Sequence, residues 1–470
     1  MRKENGYLTV CICVCLPVIL SLCIALIEGA RRNAERLESM CICETSLQSV
    51  MSEYHQVLRE QYDIFAIDTS YGSPQSGREK VEARLHYYVK GNIETNQDAR
   101  YFLRRFVSLS TGLESVGRVT LLSDECGGVF RMLAIESFWE GSDLQILNQL
   151  KNWVETVEVN GMEQGREETA RKQVDREFSE YRNQYPEVEI RDPSEQVNNT
   201  RRKGILNFVT EIETLSDKSL IMENCVSRRI QEGRVNEGNM PPAEATTIPG
   251  MEKFLFQRYL SDRMGSYVSV GDKKALDYEQ EYLVAGKASD VENLKSVVHR
   301  LLCLREASNM LYLWNCPEKR SEVLILAETI SAAILMPELI PVIEMSILLG
   351  WAYAEGVSDM KTLLKGGKVP LLKEDSDWKT DINAALNNSG DPVNVQERGL
   401  SYEDYLAVFM LLEKEDVLSM RAMDLVEANI RKTRGNGAFR LDACYVALVV
   451  DIRLHGANGQ QYEYQRYRRY

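Results

Sequence analysis

Residues 7–27 read YLTVCICVCLPVILSLCIALI, and this uncharged stretch decides how the rest of the chain is organised. At about 1.5 Å per residue, a helix of this length is about 31 Å long, which matches the hydrocarbon core of a bilayer. A cleaved leader is the alternative, but no small-x-small cleavage site closes the run, which continues into EGARRNAERLE at residues 28–38. The stretch therefore predicts a retained single-pass membrane helix.

The flank MRKENG at residues 1–6 bears on the orientation of this helix, because it carries two basic residues and one acidic residue. Short loops rich in Lys and Arg favour the cytoplasmic side of a membrane. We therefore expect a cytoplasmic N-terminus, with the bulk of the chain outside the membrane. The pair Arg31–Arg32 on the far side of the span acts against this orientation.

The segment after the span has the pattern of a long helix, since residues 28–65 contain no Pro and only Gly29. Its apolar residues recur at steps of three and four, with one slip between 41 and 47, which is typical of a single helical stripe. The pattern predicts a juxtamembrane helix over 28–67 that buries this stripe against the protein's own domain or against neighbouring copies of the chain. The stripe comprises Ile27, Ala30, Ala34, Leu37, Cys41, Leu47, Met51, Tyr54, Leu58, Tyr62 and Phe65.

The remaining periodicities predict an α+β protein that is predominantly helical. Two strand-like runs close the chain, 444–454 and 461–470, and are expected to form a terminal hairpin. The apolar runs 323–336 and 339–354 are interrupted by Glu and Pro, which favours buried core helices over a membrane hairpin. The expected organisation is a flank at 1–6, a membrane helix at 7–27, a juxtamembrane helix at 28–67, an α+β region at 68–159, a charged helical spacer at 160–203, a helical segment at 204–232, a linker at 233–250 and a mainly helical C-terminal domain at 251–470.

Composition limits the classes of partner and site. A net charge of −14 argues against nucleic-acid binding, which needs a basic face to displace counterions. Four of the eleven cysteines lie in the span, and the other seven are scattered and odd in number, so they do not indicate a disulfide framework. Cys41 and Cys43 are too close together for the usual zinc-ligand pair. We expect the lipid bilayer as a partner, and neither nucleic acid nor a metal.

Motifs for catalysis are scarce in this sequence. None of the histidines (55, 86, 299 and 455) has a partner at a metal or triad spacing, and HExxH, GxSxG and P-loop patterns do not occur. Cys126 precedes a helix start but has no base nearby. We therefore expect a non-enzymatic protein without catalytic, cofactor or metal residues. A large pocket with converging polar groups would favour a sensor or ligand-binding module, and clustering of Asp375, Asp377 and Asp381 with a histidine would favour an enzyme.

Three stretches carry a resemblance: the anchor with YDIFAIDTSYG at 62–72, ILLGWAYAEGVSDMKTLLKGGKVPLLK at 347–373, and the segment from GLSYEDY to VEANIR at 399–431. They resemble a family of uncharacterised surface proteins of Gram-positive anaerobes that accompanies the tight-adherence (Tad/Flp) pilus machinery. The N-terminal anchor is similar to that of pilus-associated proteins of this system. The resemblance implies a membrane-anchored, outward-facing structural or assembly component of a pilus or secretion apparatus, with other assembly proteins or further copies of itself as partners.

One departure from the pilins of this system concerns processing. Pilins are cut after a Gly and carry Glu five residues into the mature chain, but cleavage after Gly6 would put Cys11 at that position. The acidic residue nearest the span is instead Glu28, at its opposite end. The sequence therefore predicts an accessory component, and not a subunit of the filament shaft.

Overall fold

The computed structural model describes residues 5–99, 107–138, 144–204, 206, 215–235, 237–241, 251–271, 273–386, 398–456 and 459–470. Parts of the expected flank, helical segment, linker and hairpin loop therefore lie outside the described residues. The α-helices of the described part are α1 (Asn5–Met51), α2 (Gln56–Tyr62), α3 (Arg78–Ala99), α4 (Asp124–Phe138), α5 (Leu144–Val159), α6 (Arg166–Gln184), α7 (Glu195–Lys203), α8 (Val226–Gln231), α9 (Glu252–Arg263), α10 (Glu279–Ala285), α11 (Asp290–Asn315), α12 (Pro317–Ala333), α13 (Ile340–Leu364), α14 (Ile382–Leu386), α15 (Tyr402–Leu412) and α16 (Glu415–Lys432).

Four strands accompany these helices: β1 (Ile67–Asp68), β2 (Ser110–Leu121), β3 (Cys444–His455) and β4 (Gln461–Arg469). The expectation of a predominantly helical α+β fold with a terminal hairpin is confirmed. The chain divides into two compact units. Unit 1 takes its residues from 1–130, 233–244 and 433–470, and unit 2 takes its residues from 131–232 and 245–432.

Unit 1 is built around an antiparallel sheet in which β3 is central. β2 pairs with one edge of β3, with Val116 opposite Val450, while β1 and β4 pair with the other edge. Helices α1 and α3 supply the apolar side chains that cover the sheet. The core therefore combines residues that are far apart in sequence, such as Leu47 of α1 and Leu448 of β3.

The buried face of α1 differs from the expected stripe. Leu37 is 63% exposed and Cys41 is also exposed, whereas Glu35 and Ser39 are buried. The reason is that tyrosines of β4 lie over this face. The Tyr462 hydroxyl donates to Glu35 Oε2 at 3.1 Å, and the hydroxyls of Ser39 and Tyr464 are 2.7 Å apart.

Two further contacts extend this association of α1 with β4 along the helix. Arg466 and Arg468 both donate to the carboxylate of Glu44, at 2.7 Å and 2.9 Å. The hydroxyl of Tyr470 donates to the carbonyl oxygen of Met51 at the end of the helix. The basic and aromatic residues of the last strand therefore fix the second half of α1 to the sheet.

The end of α1 also differs from expectation, because the helix stops at Met51 and not near Phe65. The chain turns at residues 52–55, and the His55 N–H donates to the carbonyl of Ala66 at 2.9 Å. His55 then caps α2, its Nδ1 accepting from the Leu58 N–H at 3.2 Å. Leu58 and Tyr62 are buried as the periodicity indicated, but they belong to a separate short helix.

The expected linker at 233–250 does not separate all of the C-terminal residues from the preceding part of the chain. Asn239 lies beside β2, where its side-chain oxygen accepts from the Val119 N–H at 2.8 Å. The last strands, β3 and β4, belong to unit 1, so 251–470 is not one domain. Local periodicity could not reveal this division, because it depends on pairing between β2 and β3.

Unit 2 has a helical core formed by α6, α11, α12, α13 and α14. The segment expected to be a solvated spacer, 160–203, contributes to it: Val174 and Phe178 of α6 are buried. The apolar seam was therefore identified correctly, but the helix packs in the core and does not serve as a spacer.

Within the described ranges, two helices are long and apolar enough to cross a membrane, and they have different environments. The window in Tyr7–Met51 is 0% buried, whereas that in Pro337–Leu364 is 67% buried. The second contains α13, whose residues Ile347, Trp351 and Ala352 lie in the core of unit 2. Of the helices that the structure describes, α1 is thus the one with a fully exposed apolar segment suited to a membrane anchor or a signal sequence.

Candidate ligand-binding cavity

Unit 2 contains a cavity of about 580 Å³ between helices α6, α7, α11 and α13. This volume lies within the range of roughly 300–1,000 Å³ that is typical of small-molecule sites. Unlike most such sites, it is rich in charged and polar groups. The lining side chains that can ionise or form hydrogen bonds are Glu168, Arg171, Asp175, Asn198, Arg201, Lys295, His299, Cys303, Glu306 and Tyr353.

Arg171 is the central side chain of one wall and is only 6% exposed. One of its terminal nitrogens donates to Asn198 Oδ1 at 2.7 Å, and the other donates to the carboxylate of Glu306. Arg201 makes a similar pair with Glu168. Because each guanidinium already has a carboxylate partner, the cavity supplies donors without a large excess of positive charge.

The position of α7 depends on the turn that precedes it. Asp192 Oδ1 accepts from the Ser194 N–H and from its hydroxyl, and Asp192 also accepts from the amide of Asn198 at 3.0 Å. The Ser194 hydroxyl lies 2.9 Å from that of Ser346 on α13. This polar turn ties α7 to α13, which places Asn198 and Arg201 at the cavity.

Tyr353 approaches the cavity from α13, which packs closely against α11. A Cβ on Gly356 would lie 3.1 Å from Leu302 Cδ1 and 3.7 Å from the Glu306 nitrogen, so glycine permits this close approach. The guanidinium carbon of Arg171 lies 5.9 Å from the centre of the Tyr353 ring. Tyr353 and Arg171 are therefore held together as one wall.

Two buried donors of this wall lack hydrogen-bond partners among the residues that the structure describes. They are the hydroxyl of Tyr353, a residue that is 1% exposed, and Nε of Arg171. A buried polar group without a partner costs about 1–3 kcal/mol, so such groups are uncommon in a stable protein. Burial raises the pKa of Tyr353 to about 12, so its hydroxyl remains a donor at neutral pH.

The outer part of the cavity carries opposite charges. Asp175 of α6 and Lys295 of α11 both line it and are exposed to solvent. Neither forms an ion pair within the part of the chain that the structure describes. The lining is balanced, with three acidic residues (Glu168, Asp175 and Glu306) against three basic ones (Arg171, Arg201 and Lys295).

Cys303 and His299 lie one helical turn apart on α11, with Sγ 3.9 Å from Nε2. Burial raises the pKa of Cys303 to about 11, an effect that the Glu306 carboxylate increases. At neutral pH the sulfur is therefore a thiol, which is a weak nucleophile. The arrangement is suited to binding a polar molecule more than to attacking one.

A second polar cluster in unit 2 is fully buried and internally paired. Arg305 donates to Asp359 at 3.0 Å, and Lys373 donates to Asp359 at 2.7 Å and to Glu355. Although burial alone would raise it, Arg305 and Lys373 hold the pKa of Asp359 below its ordinary value. The two cations, Arg305 and Lys373, balance the two carboxylates of Asp359 and Glu355. The cluster therefore has a structural role, because it links α11 and α13 to the chain at Lys373.

The aspartates that were considered for an enzyme site have separate local roles. Asp375 accepts from the Tyr312 hydroxyl at 2.7 Å, Asp377 accepts from the Glu374 N–H at 3.0 Å, and Asp381 accepts from the Asn383 N–H at 3.1 Å. No group of three or more His, Cys, Asp or Glu side chains that could hold a metal occurs in the described ranges.

The other sequence candidates are dispersed. Cys126 is exposed in a left-handed turn with φ +54°, at the start of α4. His55 and His86 contact Asn436 and Glu114 within unit 1, and only His299 lies at the cavity. The cavity itself was not predicted from the sequence. The spacing of His299, Cys303 and Glu306 on one face of α11 was the available signal, but the burial of Arg171 and Tyr353 depends on tertiary packing.

Comparisons with known proteins give one match. No curated protein and no solved structure matches the chain. A family model does match, over residues 183–456, a range that holds most of the cavity lining but not Glu168, Arg171 and Asp175. Because this match covers more than half of the sequence, the chain belongs to the family of unknown function DUF5702.

Proposed function

We propose that this protein is a non-enzymatic, membrane-anchored structural or assembly component of a Tad-like pilus or secretion apparatus at the cell surface. The observation that carries the proposal is the change of environment along α1. Its first part, Tyr7–Ile27, is apolar and exposed, while its second part is buried against the sheet of unit 1 from Glu35 onward. A single continuous helix thus combines a segment of bilayer length with a segment of the folded body.

The contacts between α1 and β4 suit a structural role. Glu35, Ser39 and Glu44 are held by side chains of β4, so a displacement of the anchor is transmitted to the sheet without an intervening flexible linker. An enzyme that only needs attachment to a membrane has no such requirement. The Tad-like assignment itself depends on the sequence resemblance of the anchor and of segments 347–373 and 399–431.

The test is cross-linking in native membranes followed by affinity purification of the tagged full-length chain. We expect pilus-assembly or secretion proteins to copurify. A tagged control that keeps only residues 1–51 retains the anchor but lacks the sheet and unit 2. If the full-length chain yields the same proteins as this control, the proposed assembly role is wrong.

A second function, a ligand-binding or sensing module on the same membrane anchor, is favoured by the cavity. A pocket of about 580 Å³ is within the size range of small-molecule sites, and it is lined by three acidic and three basic side chains. The two functions are compatible, since a subunit of an assembly can respond to a small molecule. Thermal-shift screening of the full-length protein against small polar molecules tests this function independently of copurification.

A further inference from the structure

We infer that α1 joins two copies of the chain into a parallel dimer, through an apolar face of the helix that unit 1 leaves exposed. This inference rests on the proposed membrane anchor. It goes further by naming the partner, a second copy, and the face that binds it. This outer face of α1 comprises Ile27, Ala30, Ala34, Leu37 and Cys41.

The outer face has the spacing of a coiled coil. Its residues follow one another at steps of three, four, three and four, which are the a and d positions of a heptad repeat. The next position, Glu44, is held by two arginines of β4, so the outer face ends at Cys41. The same spacing continues backwards into the apolar segment through Cys13, Leu16, Leu20 and Cys23.

The outer face lies opposite the face of α1 that packs on the sheet. Leu37 is 63% exposed, the neighbouring Met40 is 44% exposed, and Cys41 is exposed as well. Leu37 follows the buried Glu35 by two residues, which is about 200° around a helix. Ala34, at the edge of the outer face, is half-buried. The slip in the apolar pattern after Cys41 therefore marks the point where the stripe changes from the outer face to the face that unit 1 buries.

A bilayer does not reach far enough to cover this face. Leu37 lies ten residues beyond Ile27, the end of the apolar segment, which is about 15 Å along the helix. The headgroup region extends only about 5–7 Å beyond the hydrocarbon core on each side of a bilayer. In a single copy the Leu37 side chain is therefore in water, and burial against an apolar partner is favourable.

A second copy supplies a matching surface. Two anchors inserted in one membrane with the same orientation are parallel, so identical residues meet across a twofold axis. In such a dimer, Asn33 of one helix faces Glu38 of the other. Met40 faces Thr45 in the same way, so like charges do not meet at the positions that flank the outer face.

The area of contact is suited to a dimer that is held in a membrane. From Cys13 to Cys41 the heptad positions extend for about 42 Å, and at a helix width of about 11 Å they cover roughly 460 Å² on each copy. The total of roughly 900 Å² is close to the lower limit of about 1,000 Å² for specific interfaces. Confinement of both helices to one bilayer raises their effective concentration, which lowers the affinity that the contact requires.

The direct test is cross-linking of the full-length protein in liposomes with a short, water-soluble bismaleimide, read as a dimer on a denaturing gel. All proteins carry Cys126→Ser, because Cys126 is also exposed. We expect a dimer that Cys41→Ser abolishes and that Leu37→Cys restores in the Cys41→Ser background. Arg32→Cys in that background is the control and should give little dimer, since Arg32 is exposed but lies about 180° around the helix from Cys41.

A matched pair of substitutions measures the strength of the contact. Leu37→Gln places a polar group on the outer face, whereas Arg36→Gln changes the neighbouring exposed residue, which points about 100° away. Energy transfer between donor- and acceptor-labelled copies is followed as the liposomes are diluted with lipid. We expect at least tenfold weaker self-association for Leu37→Gln, because one buried leucine is lost from each copy, and wild-type behaviour for Arg36→Gln. Both variants should melt as the wild type does, since both positions are exposed in the single copy.

The outcomes separate the dimer from the proposed assembly role. A monomer at every ratio of protein to lipid would overturn the dimer and leave the assembly role, which copurification tests independently. Equal cross-linking of Arg32→Cys and Leu37→Cys would show that the contact does not use the outer face, which also refutes the inference. Cross-linking of Leu37→Cys in native membranes to a different protein, and not to a second copy, would overturn the dimer and support the assembly role. Absence of the chain from the membrane fraction would overturn both.

Discussion

Replacing Glu281 with glutamine should remove a large part of the pH dependence of the stability of unit 2. Glu281 is 0% exposed, and one of its oxygens accepts from the Tyr267 N–H and the Tyr402 hydroxyl, both at 2.9 Å. The other oxygen, Oε2, has no hydrogen-bond partner within the described part of the chain. Glutamine keeps the accepting oxygen and removes the charge.

The magnitude follows from the pKa of this carboxyl group. Burial raises it from an ordinary value of 4.5 to about 7. Between these pH values the folded state binds more protons than the unfolded state, so the free energy of unfolding decreases as the pH rises. At about 1.4 kcal/mol per pH unit, the loss approaches roughly 3 kcal/mol by pH 8. The stabilisation is fully present below pH 4.5 and is lost as the pH rises through 7.

Urea denaturation followed by tryptophan fluorescence is suited to this measurement. Four of the five tryptophans, Trp153, Trp314, Trp351 and Trp378, lie in the described part of unit 2, so most of the signal follows that unit. We expect Glu281→Gln and the wild type to have similar stability at pH 4.5, and the variant to be more stable at pH 8 by up to roughly 3 kcal/mol.

Burial also raises the pKa of two other acidic residues near this site, Glu279 and Asp290. Both are present in the wild type and in the variant, so their contributions cancel in the difference between the two free energies of unfolding. Glu328→Gln, on the exposed face of α12, is the control and should give no pH-dependent difference. Parallel stability curves for the wild type and Glu281→Gln between pH 4.5 and 8 would refute the reasoning.

Two further experiments test the network of buried charges and the proposed orientation of the chain relative to the membrane. Lys373→Met leaves the buried Asp359 carboxylate with one cation fewer, and should destabilise unit 2 by about 3–5 kcal/mol in the same urea assay. Lys365→Met, at an exposed position, should have little effect; similar losses for both variants would contradict a structural role for the network. A membrane-impermeant maleimide should label the wild type in intact cells more than it labels a double variant in which the exposed Cys41 and Cys126 are both serine. Labelling that requires permeabilised cells would reverse the proposed orientation.

In unit 1, the two parts of α1 could be predicted from the sequence to different extents. The apolar helix at 7–27 was identifiable, because composition alone shows that this stretch is apolar and long enough for a helix of bilayer length. The buried face beyond it was not, because Glu35 and Ser39 are polar residues covered by Tyr462 and Tyr464, which are 427 and 425 residues away. Apolar periodicity reveals the apolar face of a helix, but it cannot reveal a polar face that is buried by residues far away in the sequence.

In unit 2 the helices were largely identifiable, but the environment of their polar side chains was not. The spacing of Val174 and Phe178 predicted a seam on α6, while the burial of Arg171 on the same helix depends on Asn198 and Glu306. Tyr353 lies within an apolar run and would be interpreted as an ordinary core aromatic residue. Only the tertiary structure shows that its ring lies against the guanidinium of Arg171.

The central position of β3 has a consequence for the order of events during synthesis. β3 pairs with both β1 and β2, yet it begins at Cys444, so the sheet of unit 1 cannot assemble until most of the chain has been made. The apolar segment of α1 is synthesised early, whereas the part of α1 that packs on β4 must wait for residues 461–469. Contacts of such large sequence separation form slowly, because a long loop has to close first. A ribosome stalled before β3 therefore holds a chain in which the polar face of α1 is still uncovered, which makes this interval the one in which a chaperone or a protease can act.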